Sequence, residues 1–334
     1  MKSVESQYIQ DYHYDETDSL LRAISYKGEL FNLLSGDFIF RGHFSDDYQL
    51  LPFALREGSL DRFYSSRDYL NKAIFTASQL EVVQMMTEYE LLQRFYNICD
   101  KNHLRVPDCP RLRDNIVKGY DLVSLFGRED WLPREFWEVA ALAQHYGIPT
   151  RLLDWTSNIH TALYFAIKDY IRPVSMRERV LKQKDFLLNE SKVKEPLCEI
   201  WALDTKVVVA KEGKLPLILI RPPYHGNPNL AAQEGVFTLW TVTKPVSIKG
   251  GKYTFDKNFK DRKPLDYHLS NKLDELKADA HPYLYRITFP QRCCAEIYGY
   301  LKRIGNVAAK LFPGYNGVTQ AMREDAAFAD KASK

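Results

Sequence analysis

The chain has 334 residues, more than one hydrophobic core usually organises, so it is read as one large domain with insertions or two closely joined ones. Apolar residues make up 45% and charged residues 27%, which excludes a wholly disordered or fibrous protein. Lys and Arg (46) nearly balance Asp and Glu (43), and a net charge of +3 does not mark the whole chain as a nucleic-acid binder; any basic surface has to come from local clustering.

Residues 1 to about 30 read as a polar entry followed by helix, because SLLRAISYKGELFNLL spaces its apolar residues at the helical period. Asp37 to Arg41 breaks that period between Gly36 and Gly42 and predicts a strand ending at Phe40-Arg41-Gly42. Residues 65 to 125 return to helix, with SRDYLNKAIFTASQLEVVQMMTEYELLQRFYNIC free of proline. Phe136 to Tyr146 predicts another helix, stopped by Gly147 and Pro149. Thr156, Ser157 and Asn158 then supply cap chemistry for a helix over Ile159 to Tyr170. The orphan N–H groups at such a helix start suit an anion or a polar ligand group.

Residues 172 to 196 are polar and charged and read as an exposed helical insertion. LCEIWALD, LPLILIRPP, GVFTLWTVT and YLYRITF have strand length and composition, while QRCCAEIYGYLKRIGN and the region after Pro313 read as helix. Helices on either side of a mostly antiparallel sheet argue for an α+β fold rather than alternating βαβ units. There is no internal repeat, and neither GxGxxG nor GxxxxGK[ST] occurs, which argues against a Rossmann or P-loop nucleotide site. The five cysteines form no CxxC pair and have no zinc spacing, so no metal is expected. No stretch approaches the ~20 apolar residues of a membrane helix. The opening MKSVESQYIQDYHYDETDSL has no apolar signal core, and a soluble, cytoplasmic chain is expected.

Four segments embed polar residues and glycine breaks in apolar surroundings: Phe40-Arg41-Gly42-His43, Gln144 to Phe165, Arg221 to Phe237, and Leu311 to Gly317. FIFRGH followed by Leu50-Leu51-Pro52, then AQHYGIPTRLLDWTSNIHTALYFA, AAQEGVF and LFPGYNGV, closely resemble the FRG domain family, named for its Phe-Arg-Gly triplet. The resemblance covers most of residues 35 to 320, with 172–196 and 244–282 as insertions, 1–34 as a helical extension and 321–334 as a tail. The chain departs from the family pattern at two places. Asn229 stands where the family commonly has Arg, and Gly314-Tyr315-Asn316-Gly317 stands where it favours Asp-Leu-Asp-Gly.

The order of the segments is also similar to the three-motif order of ADP-ribosyltransferases: an Arg ending an early strand, a Thr/Ser corner before a helix, and a later Gln/Glu at a strand edge. That likeness implies a split sheet with NAD as co-substrate in the cleft. Breaking the nicotinamide glycosidic bond develops oxocarbenium-like charge on the ribose. Such a site needs a carboxylate, a cation for the pyrophosphate and a slot for the leaving ring. Glu234, Gln233 and Arg41 are the catalytic candidates, Gln233 being the inward residue if the register slips by one. Arg41, Gly42, His43, Tyr146, Trp155, Thr156, Ser157 and Arg221 are the candidate co-substrate contacts, with Tyr146 and Trp155 stacking on nicotinamide.

Each residue has a structural reading beside the chemical one. Arg41 pairs with Asp154 or holds a ligand; His145 caps or packs, or acts as a base; Trp155 packs or stacks. Asp154 is a cap, Glu234 a turn residue beside Gly235, and Arg221 a strand end or a phosphate contact. Lys244 to Asp266 carries seven Lys/Arg against three Asp, with Tyr253, Phe255 and Phe259 interleaved. Cations with aromatic faces fit single-stranded RNA or DNA, and Lys252, Tyr253, Lys257, Lys260 and Arg262 are the candidate contacts, the alternatives being a solvated loop or a protein-partner site. Residues 177–184, RERVLKQK, add a second basic patch. The expected activity is transfer of ADP-ribose from NAD to nucleic acid, RNA favoured over DNA, by a toxin-like or anti-phage effector with an antitoxin partner. The competing readings are a non-catalytic ligand or nucleic-acid binding module and, last, a hydrolase or nuclease using His43, His145 and Asp154.

Overall fold

The computed structural model describes residues 6–34, 37–63, 79–113, 130–171, 195–210, 213–224, 227–242, 246–249, 252–255 and 262–332. Its strands are β1 (Ile9–His13), β2 (Phe38–His43), β3 (Leu152–Thr156), β4 (Leu197–Asp204), β5 (Leu217–Ile220), β6 (Gly235–Trp240), β7 (Val246–Lys249), β8 (Lys252–Phe255) and β9 (Leu284–Pro290). The helices are α1 (Thr17–Ala23), α2 (Glu29–Leu34), α3 (Gln79–Lys101), α4 (Pro110–Arg113), α5 (Trp137–His145), α6 (Ile159–Ile167), α7 (Lys206–Ala210), α8 (Pro228–Ala232), α9 (Leu265–Glu275), α10 (Cys294–Arg303), α11 (Ala308–Leu311) and α12 (Tyr315–Ala332).

Seven strands form one sheet in the order β1–β9–β4–β2–β3–β6–β5, and β7–β8 is a separate two-stranded pair. Every pairing in the large sheet is antiparallel except β1 with β9. The fold is α+β. β2 pairs with β4 over its whole length, from Phe38↔Asp204 to His43↔Glu199, but meets β3 only at Phe40↔Thr156. The sheet therefore has two well-paired halves joined at a narrow seam.

Side chains of a strand alternate between faces, so each half contributes to two layers. On one face Ile39, Trp201 and Leu203 of the first half and Leu153, Trp155 and Val236 of the second share a continuous core with Leu265, Leu269 and Leu273 of α9. On the other face the core is divided. Phe38, Phe40, Cys198, Ile200 and Ile287 pack against α6, α10 and α12. Leu152, Phe237 and Leu239 pack instead with Tyr89 of α3 and Val139 and Ala140 of α5. A cleft opens where these two clusters part, lined by Phe40 and Ala162 from the first and Leu230 and Phe237 from the second.

The FRG glycine is explained by this packing. A Cβ on Gly42 would lie 1.9 Å from the Ala162 carbonyl oxygen and 2.6 Å from the Ala166 nitrogen, so α6 rests directly on the β2 backbone.

Several boundaries differ from the sequence reading. The segment expected to be a polar entry holds β1, whose exposed Gln10 and Asp11 mask a strand signal, and the helix after it is two short ones, α1 and α2. Because β1 is an edge strand of the large sheet, the described part of the 1–34 extension, residues 6–34, is not separate from the domain. Helix α9 lies in 244–282, read as an elaboration, yet its Leu269 and Leu273 are completely buried. Helix α12 runs through residue 320 and buries Glu324 and Phe328, so there is no tail boundary there. β2 extends two residues past Arg41, and α6 ends at Ile167 with a 3-10 turn continuing to Ile171. The helical readings for 65–78 and 114–125, and most of the 172–196 insertion, fall outside the described residues. Among the described residues no helix is long and apolar enough to cross a membrane.

Replacing Gly42 with Ala forces a Cβ against two backbone atoms that no rotamer change can move, and we expect a loss of at least about 2 kcal/mol. Urea unfolding of the Gly42→Ala variant should show a lower midpoint with an unchanged slope; an unaltered midpoint would refute the packing argument.

Candidate functional site

The cleft has a volume of about 880 Å³, within the range of small-molecule sites. Its floor is set by Arg41. One side-chain nitrogen, Nη1, donates to both the Asp154 carboxylate (2.8 Å) and the Asp154 carbonyl (2.7 Å), bridging β2 and β3 beside their single backbone pairing. Its Nε donates to His43 Nε2 at 2.9 Å. Since a guanidinium only donates, His43 Nε2 is the acceptor and Nδ1 carries the proton, which goes to Glu199 Oε1 at 2.8 Å. His43 is thereby a neutral imidazole in one tautomer. Burial depresses its pKa, and the Glu199 hydrogen bond only partly opposes this.

Glu199 has no solvent exposure, but both oxygens are satisfied. Oε1 also accepts from Trp201 Nε1 (2.8 Å) and Oε2 from Arg286 Nε (2.8 Å). The chain Arg286–Glu199–His43–Arg41–Asp154 thus crosses four adjacent strands. Desolvation in the cleft pushes the Asp154 carboxyl up, but Arg41 overcomes it and Arg56 adds to the pull, leaving a pKa of about 2. Asp154 also accepts from Gln144 Nε2 at 3.1 Å, although 63% of its side chain is exposed.

The second wall is a corner made by the ends of β3 and the start of β6. Thr156 Oγ1 donates to the Gln233 carbonyl (2.7 Å) and accepts the Asn158 N–H (3.0 Å). Asn158 Oδ1 caps α6 by accepting from the His160 and Thr161 N–H groups, while its amide donates to Glu234 Oε1 at 2.9 Å. Ser157 Oγ donates to Glu234 Oε2 at 3.1 Å. Glu234 itself adopts φ +49°, a left-handed turn conformation unusual for a residue with a side chain. Gln233 Nε2 donates to the Leu311 carbonyl at 3.0 Å, tying the LFPGYNGV block to this corner.

Of the predicted residues, Arg41, Gly42, His43, Trp155, Thr156 and Gln233 line the cleft. Glu234 does not; its carboxylate lies at the corner in the grip of Ser157 and Asn158. Tyr146 terminates α5, stands 61% exposed and is outside the lining. Trp155 cannot stack on a ligand: its ring is buried in the α9-side core and its N–H is committed to Thr238 Oγ1 at 2.8 Å. The cause is strand alternation, which turns Trp155 away from the face carrying Thr156. Arg221 is exposed beyond β5 and, like Ser157, does not line the cleft. Lys252 and Tyr253 lie on β8, Arg262 is exposed, and Lys257 and Lys260 fall outside the described residues. Among the described residues no His/Cys/Asp/Glu group could hold a metal ion.

Sequence reasoning missed Arg56, Gln49, Phe165 and Lys168 in the cleft wall. Nothing in the local pattern of LLPFALRE separates Arg56 from an ordinary surface cation. Asn229, noted only as a departure from a family pattern, also lines the cleft.

The family model of the FRG domain matches residues 111–173. This segment belongs to that family. The matched FRG segment contains α5, β3 and α6, and so supplies Gln144, Asp154 and Thr156 to the cleft; Arg41 and Gln233 reach it from outside that segment. No curated protein matches the chain, and no solved structure matches it.

His43 offers a pH test of the network. The unfolded histidine takes up a proton near pH 6.5, before the folded one, so stability rises with pH in this region and is lost as pH falls below about 6.5, by on the order of 1 kcal/mol per pH unit. A His43→Gln variant retains one acceptor for Arg41 and one donor for Glu199 without titrating. It should therefore lose less stability than the wild type between pH 7 and 5.5, measured by urea unfolding. Equal losses would mean that His43 is not held neutral.

Proposed function

We propose that the cleft binds NAD and that the chain transfers ADP-ribose from it to an acceptor. The carrying observation is the seam in the sheet: β2 and β3 share one residue pair, and beside it a dinucleotide-sized hollow brings Arg41 together with the Gln233 corner. In the reaction the bond between ribose C1′ and the nicotinamide nitrogen breaks, its electron pair leaving with nicotinamide. The acceptor's nucleophilic atom then bonds to C1′ and releases its proton. Glu234 is the carboxylate assigned to the developing ribose charge, positioned by Ser157 and Asn158, both neutral donors that leave its negative charge unneutralised. Arg41 retains Nη2, without a partner among the described residues, for a ligand oxygen.

The acceptor proposed is nucleic acid, RNA before DNA, in keeping with the local excess of Lys and Arg over residues 244–266. The biological role proposed with it, a cytoplasmic toxin-like or defence effector restrained by an antitoxin partner, rests on the resemblance in motif order to ADP-ribosyltransferases. A second reading has its own support. Arg41 is already paired with Asp154, and Glu234 stands outside the cleft lining, an arrangement equally suited to holding a ligand without turnover.

Nicotinamide release from labelled NAD, with RNA, DNA or lysate as acceptor, separates the two. The transferase reading predicts release by the wild type and a fall on the order of 100-fold in Glu234→Gln and Arg41→Ala. NAD binding without nicotinamide release, under every acceptor, would replace it with the binding-module reading.

A further inference from the structure

The cleft contains two guanidinium groups in very different states. Arg41 is spent largely inside the protein: two of its nitrogens serve Asp154 and His43, and Asp154 stays ionised down to a pH of about 2, so the pair presents little net charge. An incoming phosphate would have to compete with that carboxylate. Arg56 is different. It lines the same cleft, is exposed, and its side chain makes one hydrogen bond among the described residues, from Nε to the Leu51 carbonyl at 3.0 Å. Its guanidinium lies over the Phe53 ring, 5.8 Å from the centroid, which restrains its orientation. Both terminal amino groups, the fork that grips an oxyanion in two parallel hydrogen bonds, have no protein partner among the described residues.

Its surroundings point the same way. Partial desolvation, then Arg41, disfavours the charged form of Arg56, and Asp154, which partly offsets them, already serves Arg41. Two guanidiniums sharing one carboxylate leave a positive charge uncompensated on this part of the wall. Beside it stands Gln49, whose side-chain amide makes no protein hydrogen bond among the described residues, and Tyr48, 53% exposed with its ring edge-on to His43.

We infer that Arg56 forms a phosphate-binding subsite, taking a phosphate or pyrophosphate group of the ligand, while Arg41 holds the two halves of the sheet together at the cleft floor. This rests on the reading that the cleft is the ligand site. It does not require that the ligand be consumed.

The test is calorimetric titration of the full chain with inorganic pyrophosphate, AMP and adenosine, using wild type, Arg56→Gln and Arg56→Lys. The wild type should bind pyrophosphate and AMP, with adenosine much weaker. Arg56→Gln should weaken both anions on the order of 10-fold or more, and Arg56→Lys should recover part of the loss, since it restores charge but not the fork. Melting temperatures of the two variants check that the fold is retained; should Arg56→Gln fail to fold, the comparison of Arg56→Lys with wild type carries the test. Pyrophosphate affinity unchanged in Arg56→Gln, or in Arg56→Lys where that comparison carries the test, overturns the inference, as does a wild type that binds neither anion. Failure of the transferase reading looks different: no nicotinamide is released, yet pyrophosphate still binds in an Arg56-dependent manner. Conversely, nicotinamide release with an unchanged KM for NAD in Arg56→Gln would remove the subsite and leave the transferase.

Discussion

The contact between Arg41 and Asp154 is the constraint on which the rest of the site depends. Where two strands share only one residue pair, the backbone ladder no longer holds them in register, and something else must. A guanidinium that reaches both the carboxylate and the carbonyl of one residue does this with fixed geometry. It allows the sheet to stay continuous on the α9 side while separating into two clusters on the other. The cleft is the space created by that separation, and the close approach of α6 to Gly42 sets one of its walls.

Behind Arg41, the His43–Glu199–Arg286 chain extends the same logic into the interior. A fully buried glutamate is tolerable only if its charge is met on every side, and here a histidine, a tryptophan and an arginine do so from three positions. The result is a stiff support for the Arg41 side chain: its orientation is set from below by a histidine that has one available tautomer. The other wall is stiffened differently. Thr156, Ser157 and Asn158 each serve the Gln233–Glu234 turn, and Asn158 caps α6 as well, so the corner and the helix are positioned together.

Much of this was visible in the chain before folding. The strands β4, β6 and β9 are dense in β-branched, aromatic and other apolar residues, and α5 and α6 are bounded by the glycine, proline and cap residues that stop or start a helix. The motif Phe-Arg-Gly-His and the Gln144 to Phe165 block led to the cleft and to the FRG family. β1 was not legible because an edge strand with outward polar residues lacks a clear alternation. Helix α9 was hidden because LDYHLSNKLDE follows a basic run and shows its apolar stripe only against a partner surface. Trp155 and Glu234 share one lesson. The chain places a residue near a site, but whether its side chain enters depends on strand face and turn conformation, and both residues turn elsewhere.

The sequence by itself determined the types of most of the described elements, the presence of one polar corner and one arginine strand end, and the FRG character of residues 111–173, because periodicity, caps and contiguous motifs are local properties of the chain. Only the tertiary structure decided that the sheet parts between β2 and β3, that Arg41 is committed to Asp154, and that Arg56 lines the cleft with both terminal amino groups unpartnered among the described residues. Those facts are relations between residues about 100 positions apart, or between a side chain and its lack of neighbours. They come into being only when packing brings the strands together and excludes water from some charges and not from others.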